Sequence, residues 1–313
     1  MNQIVKKYID NFDGTSCNFS YLNQNIISAS FSENFGIVGR GKIIMFKNDI
    51  KQLIPINEWY FDRGINCISN NYMNDNILYA GDNDGKLITI NKGFNISDKG
   101  QIFQNKIHQY EITSLNVGRI NKNILLSSSL DNTSNLIDIN GNKIISTIQN
   151  YFKKGITSNS IDYKSPNIIS LSSNDGYVLI FDIRDILKPI KCFSFNNPVM
   201  SIDFGFFNSS FAIGESNGII NLYDLRKSDN NPLIILNGHK LSVKEIKFSP
   251  YKENILCSCG YDMDINLWNI NYSIPIKTFN HHSEFVTGID FSPFYQNIIS
   301  SISFDKSLDI LTI

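Results

Sequence analysis

Tryptophan is nearly missing from this chain of 313 residues: there are 2, beside 4 histidines, 5 cysteines and 8 prolines. Each scarcity excludes something. The cysteines (Cys17, Cys67, Cys192, Cys257, Cys259) are scattered, so they offer no disulfide framework. Cys257 and Cys259 have strand spacing and share a face, but no second pair completes a zinc set. Free buried thiols are the expectation. No apolar run reaches the about eighteen residues that a membrane-crossing helix needs. The opening "MNQIVKKYIDNFDG" has no apolar segment after its lysines, so it does not read as a secretory leader. Charge of one sign is also lacking: 28 basic against 29 acidic residues leave a net charge of −1. The molecule as a whole therefore has no field to attract nucleic acid or a membrane surface. The many asparagines are spread through turns rather than clustered into a low-complexity tract. Nothing of comparable length to the β-like runs has the periodicity of an amphipathic helix.

What is present is a repeat. Aligning on "ILCSCGYDMDINLWN" recovers "NILYAGDNDGKLITIN", "NILLSSSLDNTSNLID", "NIISLSSNDGYVLIFD", "SFAIGESNGIINLYD" and "NIISSISFDKSLDILT" without gaps. The turn positions are Asp84, Asp131, Asp175, Asn217, Asp262 and Asp305, spaced 47, 44, 42, 45 and 43 residues apart. A degenerate first copy, "NIISASFSENFGIVG", turns at Ser32, 52 residues before Asp84. Short β-branched and aromatic runs alternate with Asn, Asp and Gly, and a period near forty-four fits four strands per unit. The strand ends "WN", "YD", "FD" and "ID" make this pattern similar to the blades of WD-repeat β-propellers. That resemblance covers essentially the whole chain. It implies an all-β fold, a single seven-bladed WD-repeat β-propeller over residues 1–313. The last copy stops after its third strand, so residues 1–10, with "NQIVKKYI", are expected to supply the outer strand of the last blade and close the ring.

Within the sixth copy, His239, Ser258, Asp262 and Trp268 occupy the places of the hydrogen-bonded tetrad of WD-repeat proteins. His108, Ser127 and Asp131 repeat the spacing in the third copy, and His282, Ser301 and Asp305 in the seventh, with Ile137 and Leu311 in place of the indole. Ser, His and Asp together suggest a hydrolase. A catalytic triad is assembled once, however, whereas this trio recurs three times at one spacing, as a structural fastener would. No other asymmetric cluster of catalytic residues stands out, so the expectation is a non-enzyme without a cofactor. "GRGK" (Gly39 to Lys42) lacks the strand-to-helix context of a phosphate loop. The adjacent His281 and His282 have no Cys, Asp or third His near them in sequence, and no metal site is expected.

The C-terminal half is more particular. "DLR" (Asp224 to Arg226), "GH" followed by "KFSP" (Lys247 to Pro250), "SCGYD" and "HHSEF" (His281 to Phe285) resemble the peroxisomal receptors for type-2 targeting signals, the seventh peroxins. The stretch "FGIVGRG" (Phe35 to Gly41) is similar to that family's glycine-rich third-to-fourth strand crossing. The second to fourth copies depart from the family, most lacking the aromatic strand end. The resemblance implies a cargo receptor, cytoplasmic and cycling to the peroxisome, that binds a basic amphipathic N-terminal signal and works with a co-receptor and docking proteins. Neither nucleic acid nor membrane insertion enters. The alternative is a general WD-repeat scaffold, such as a chromatin or ubiquitin-ligase adaptor. The lead before the first copy, about a dozen residues, disfavours the histone-binding kind. A helical signal needs acidic anchors and an apolar groove on one end of the ring. By family position, Glu111, Asp62 and Glu284 are the candidate acids, with Tyr261, Phe285 and Phe304 as the apolar contacts. Glu111 and Asp62 are expected to pair with the signal's basic residue.

Overall fold

The computed structural model describes residues 4–49, 52–92, 100–207, 209–227 and 230–313. Met1 to Gln3 of the anticipated closing segment lie outside them. The described residues form 28 strands in seven four-stranded antiparallel sheets, and the one helical turn among them is the 3-10 segment Glu33–Gly36. Blade one runs Asp13–Phe19, Ile26–Ser32, Gly41–Asn48 and Leu53–Phe61. The next six blades begin at Ile65, Ile112, Ile156, Val199, Val243 and Val286. Within each of these sheets neighbouring strands are consecutive in sequence, save at the seventh. There Ile4–Ile9 pairs antiparallel with Ser307–Thr312, setting Lys7 opposite Asp309 and Ile9 opposite Ser307. The ring closes through the N-terminal strand, which pairs the edge that Ser307–Thr312 would otherwise leave open.

Burial is greatest in the second strands and least in the outermost ones. Second strands such as "ILLSSS" and "IISLSS" are buried along nearly their whole length, while the outer strand Gln101–Lys106 is exposed throughout. The core is divided into seven apolar clusters, each shared by two adjacent blades. Leu222, Val243, Phe248 and Trp268 join blades five and six, and Phe31, Phe46, Ile302 and Ile310 join blades seven and one. Tyr8 of the closing strand packs edge-on against Phe46, with ring centroids 4.7 Å apart. The buried ion pair Lys42–Asp10, at 2.7 Å, ties the end of that strand to blade one.

One irregularity recurs in every blade and positions the site. The first strand of each carries a register shift near its start, at Gly14/Ser16, Ile65/Cys67, Ile112/Ser114, Ile156/Ser158, Val199/Ser201, Val243/Glu245 and Val286/Gly288. A bulge re-aims the extra residue. The seven extra residues, Thr15, Asn66, Thr113, Thr157, Met200, Lys244 and Thr287, all line one mouth of the central channel. Where the residue is threonine, its hydroxyl donates to the next blade's backbone: Thr15 to the Ile65 carbonyl at 2.7 Å, Thr113 to Ile156 at 2.8 Å and Thr287 to Gly14 at 2.8 Å. This belt couples neighbouring blades.

The glycine-rich stretch Phe35 to Gly41 links the second and third strands of its blade (the third and fourth strands of the chain), rather than a blade's third and fourth. Asn34, Phe35 and Gly36 lie in the left-handed region, with φ of 51°, 59° and 75°. Non-glycine residues pay for that conformation, and contacts offset it here. The Phe35 amide donates to Asp13 Oδ2 at 2.8 Å, and Arg40 clasps Glu33 through its side chain and its amide.

Candidate functional site

In blade six, His239 Nδ1 lies 2.9 Å from Asp262 Oδ1, its Nε2 lies 2.7 Å from Ser258 Oγ, and the Trp268 indole donates to the same Oγ at 2.8 Å. His108 and His282 repeat the geometry with Asp131 and Asp305, each placing Nε2 2.9 Å from Ser127 or Ser301. Thr133 and Ser307 bond to the turn acids as well. Burial pushes the Asp262 carboxyl up, but the hydrogen bond and charge of His239 outweigh it and hold the group below its usual range. His108 shifts down, because burial outweighs the charge and hydrogen bond of Asp131. Ser258 is wholly buried with its oxygen engaged by histidine and indole, so no substrate carbonyl has a path to it. Losing one partner of such a network costs about 1–3 kcal/mol. Blades one, two, four and five lack the histidine. In blade five, Glu215 accepts from Asn221 at 2.7 Å and from Asn197 at 3.1 Å instead.

The channel mouth carries the exposed chemistry. Tyr261 stacks on Phe285 at 4.7 Å, Phe285 approaches Phe304 at 6.4 Å, and Phe304 meets Phe35 at 5.2 Å. Four rings from blades six, seven and one thus form a continuous ladder. Ile37 lines the same mouth, and Phe35, Ile37 and Val38 are each more than half exposed. Glu111 lines the mouth together with Lys244, Tyr261 and Phe304. Burial raises the pKa of Glu111, and the Lys244 charge opposes that shift. Lys244 itself is raised: burial acts against its charge, and Tyr261 and Glu245 more than compensate.

The three candidate acids do not share one place. Asp62 is exposed on the loop after blade one and is not among the residues lining the mouth. Glu284 lies on the far side of the Phe35–Phe304 wall, in a side hollow with Asp13, Glu33 and Lys306. Sequence reasoning passed over Lys244, Met200, Phe35 and Ile37. A signal for the first two exists: stacking the repeats as GTS, INC, ITS, ITS, VMS, VKE and VTG leaves Met200 and Lys244 as the bulky departures from a threonine-rich column.

At its other end the channel is plugged. The Arg119 guanidinium lies over the rings of Tyr21, Tyr72, Tyr163 and Phe206 at 4.3, 5.0, 4.5 and 4.5 Å, and donates to the Tyr72 hydroxyl at 2.9 Å. Two acids are buried nearby. Asp203 accepts from Tyr163 at 3.1 Å. Asp290 accepts the Phe19 amide at 2.9 Å, and burial pushes its pKa up to about 6 against the pull of Lys247.

As for metals, the pair His281 and His282 is not alone in space: Asp309 lies beside both. The sequence hid this because the carboxylate arrives from the next hairpin, 27 residues on. Of the thiols, four are buried as expected and Cys192 is exposed.

Seven four-stranded blades around a channel, with His–Asp fasteners in three of them, define a WD-repeat β-propeller. The family description "WD domain, G-beta repeat" matches residues 230–269 and 273–310, within blades five to seven. Among individual proteins, the chain is similar to the peroxisomal targeting signal 2 receptor of Schizosaccharomyces pombe, 26% identical over 260 residues that cover 82% of each chain. It is similar to the receptor of the same name in Saccharomyces cerevisiae, 22% identical over 317 aligned positions, covering 85% of this chain and 83% of that one. The histone acetyltransferase type B subunit 2 of Candida glabrata is 24% identical over 291 residues, covering 87% and 67%.

Proposed function

We propose that this propeller is a non-enzymatic receptor for N-terminal type-2 peroxisomal targeting signals, which captures cargo at the channel mouth and delivers it in the cytoplasm to a co-receptor and the docking proteins of the peroxisome. The observation that carries the reading is the four-ring ladder running beside a half-buried carboxylate, Glu111. An amphipathic helix has the matching format: an aliphatic stripe for the rings and a basic side chain for the acid. Two relatives that bear the receptor's name over most of their length support it. Glu111 serves as the primary anchor. Asp62 and Glu284, lying outside the mouth, serve as peripheral acids that attract the signal.

The test is fluorescence anisotropy with a basic amphipathic peptide and a scrambled control. Glu111→Lys is expected to abolish binding while leaving thermal stability near the wild type. Unchanged binding by Glu111→Lys overturns the assignment. The second reading, a general scaffold, draws on the histone acetyltransferase subunit and on the E3 ubiquitin-protein ligase COP1 of Arabidopsis thaliana, 25% identical over 179 residues. It is favoured if the peptide and its scramble bind alike.

A further inference from the structure

We propose that blade seven holds a divalent metal site, independent of the cargo reading, with His281 Nε2, His282 Nε2 and an Asp309 carboxylate oxygen as ligands and zinc as the cation that suits the set. The three ligand atoms lie within 4.8 Å of one another. Asp309 Oδ2 is 3.1 Å from His281 Nε2 and 3.8 Å from His282 Nε2. Ligand bonds of roughly 2.0–2.1 Å to a tetrahedral centre set donor atoms a little over 3 Å apart, so a small inward movement assembles the set.

The second observation is what these atoms lack. Asp309 is fully buried, and its Oδ1 has no hydrogen-bond partner. His281, whose side chain is 7% exposed, faces Asp309 Oδ2 with its Nε2 at 3.1 Å but without hydrogen-bond geometry, and its Nδ1 has no hydrogen-bond partner. Buried polar atoms are ordinarily satisfied. A cation would satisfy the carboxylate and one imidazole together.

The other blades serve as internal controls. The position of Asp309 is Asn135 in blade three and Asn266 in blade six, and that of His281 is Ile107 and Gly238. Only blade seven adds a second imidazole and a carboxylate to the fastener. His282 is already set for the role. Its Nδ1 lies 2.8 Å from Asp305 Oδ2, which fixes the proton there and turns the Nε2 lone pair inward, as a carboxylate behind a metal-bound histidine does. Ser301 now holds that lone pair at 2.9 Å. With Leu311 where blade six has Trp268, no indole pins the serine hydroxyl, which is free to turn away. Lys7, 3.7 Å from Asp309 Oδ2 on the closing strand, is more than a third exposed and swings into solvent when the cation arrives. The fourth ligand position is left to water.

Titration of the full chain with Co²⁺ and then Zn²⁺ decides the matter, with Cys192→Ser as the background to remove the one exposed thiol. One equivalent of Co²⁺ should give the visible absorption of a four-coordinate N/O site, displaced by Zn²⁺, and Zn²⁺ should raise the melting temperature. Asp309→Asn and His281→Ile install what blade three already tolerates, so both variants should fold. Each should weaken binding at least about tenfold, the lower bound for disturbing a metal's immediate surroundings. Absence of the cobalt spectrum in the parent overturns the proposal, as does an affinity in both variants equal to the parent's.

Discussion

At the residue scale, one buried indole and one buried acid pull in opposite directions. Trp268 fills the junction between blades five and six and satisfies Ser258, so Trp268→Ala should lower stability by about 3–5 kcal/mol in denaturant unfolding. Asp290 behaves otherwise. Its folded pKa, near 6, exceeds the roughly 3.9 of an unfolded aspartate. The folded state therefore prefers the protonated acid. The stabilisation is fully present below about pH 4 and is lost as pH rises through about 6, amounting to roughly 2–3 kcal/mol. Asp290→Asn mimics the neutral acid and still accepts the Phe19 amide. It should remove that part of the pH dependence, seen as a flatter melting temperature between pH 4 and 7. A variant that keeps the wild-type slope would show that the charge resides elsewhere in the channel.

At the element scale, the turn between a blade's second and third strands needs a left-handed residue, and the blades meet that need unequally. Gly85, Gly176 and Gly218 supply it with φ of 80°, 81° and 88°, while blades six and seven use Met263 and Lys306 at 68° and 71°. A side chain there costs about 1 kcal/mol. Met263→Gly is expected to raise stability by about 0.5–1 kcal/mol, since glycine's extra freedom in the unfolded chain offsets part of the relief. Thermal unfolding checks it. These turns were easy to find in the sequence: three carry an Asp-Gly or Asn-Gly pair, three more keep an Asp at the same place, and with the degenerate turn at Ser32 they set the blade count at seven. The bulges were not legible. A register shift depends on how strands meet around a closed ring, and a threonine one place along a strand looks the same with or without it. Asp309 escaped notice for a related reason: strand pairing, not chain distance, brings it to His281.

At the scale of the whole molecule, the ring has two unlike ends: a mouth rimmed by aromatics and one half-buried acid, and a floor sealed by Arg119 in its cage of rings. Lys244 reaches the mouth from the blade opposite Glu111 and is the cation that already acts on it. A cargo's basic residue must compete with it. Lys244→Met should therefore tighten binding of the basic amphipathic peptide several-fold in the anisotropy assay, and should steepen the loss of affinity with salt. Weaker binding by this variant would mean that Lys244 contacts the ligand itself.

Ring closure also sets an order of events. The strand Ile4–Ile9 leaves the ribosome some three hundred residues before its partner Ser307–Thr312. Until that partner appears, Ile4–Ile9 has a hydrogen-bonding edge and nothing to pair with, and blades one to six can condense only into an open arc. Loop closure over such a span is slow compared with local hairpin formation. Ring closure therefore waits for Ser307–Thr312 to emerge, and until then the open arc is the species exposed to joining another arc edge to edge.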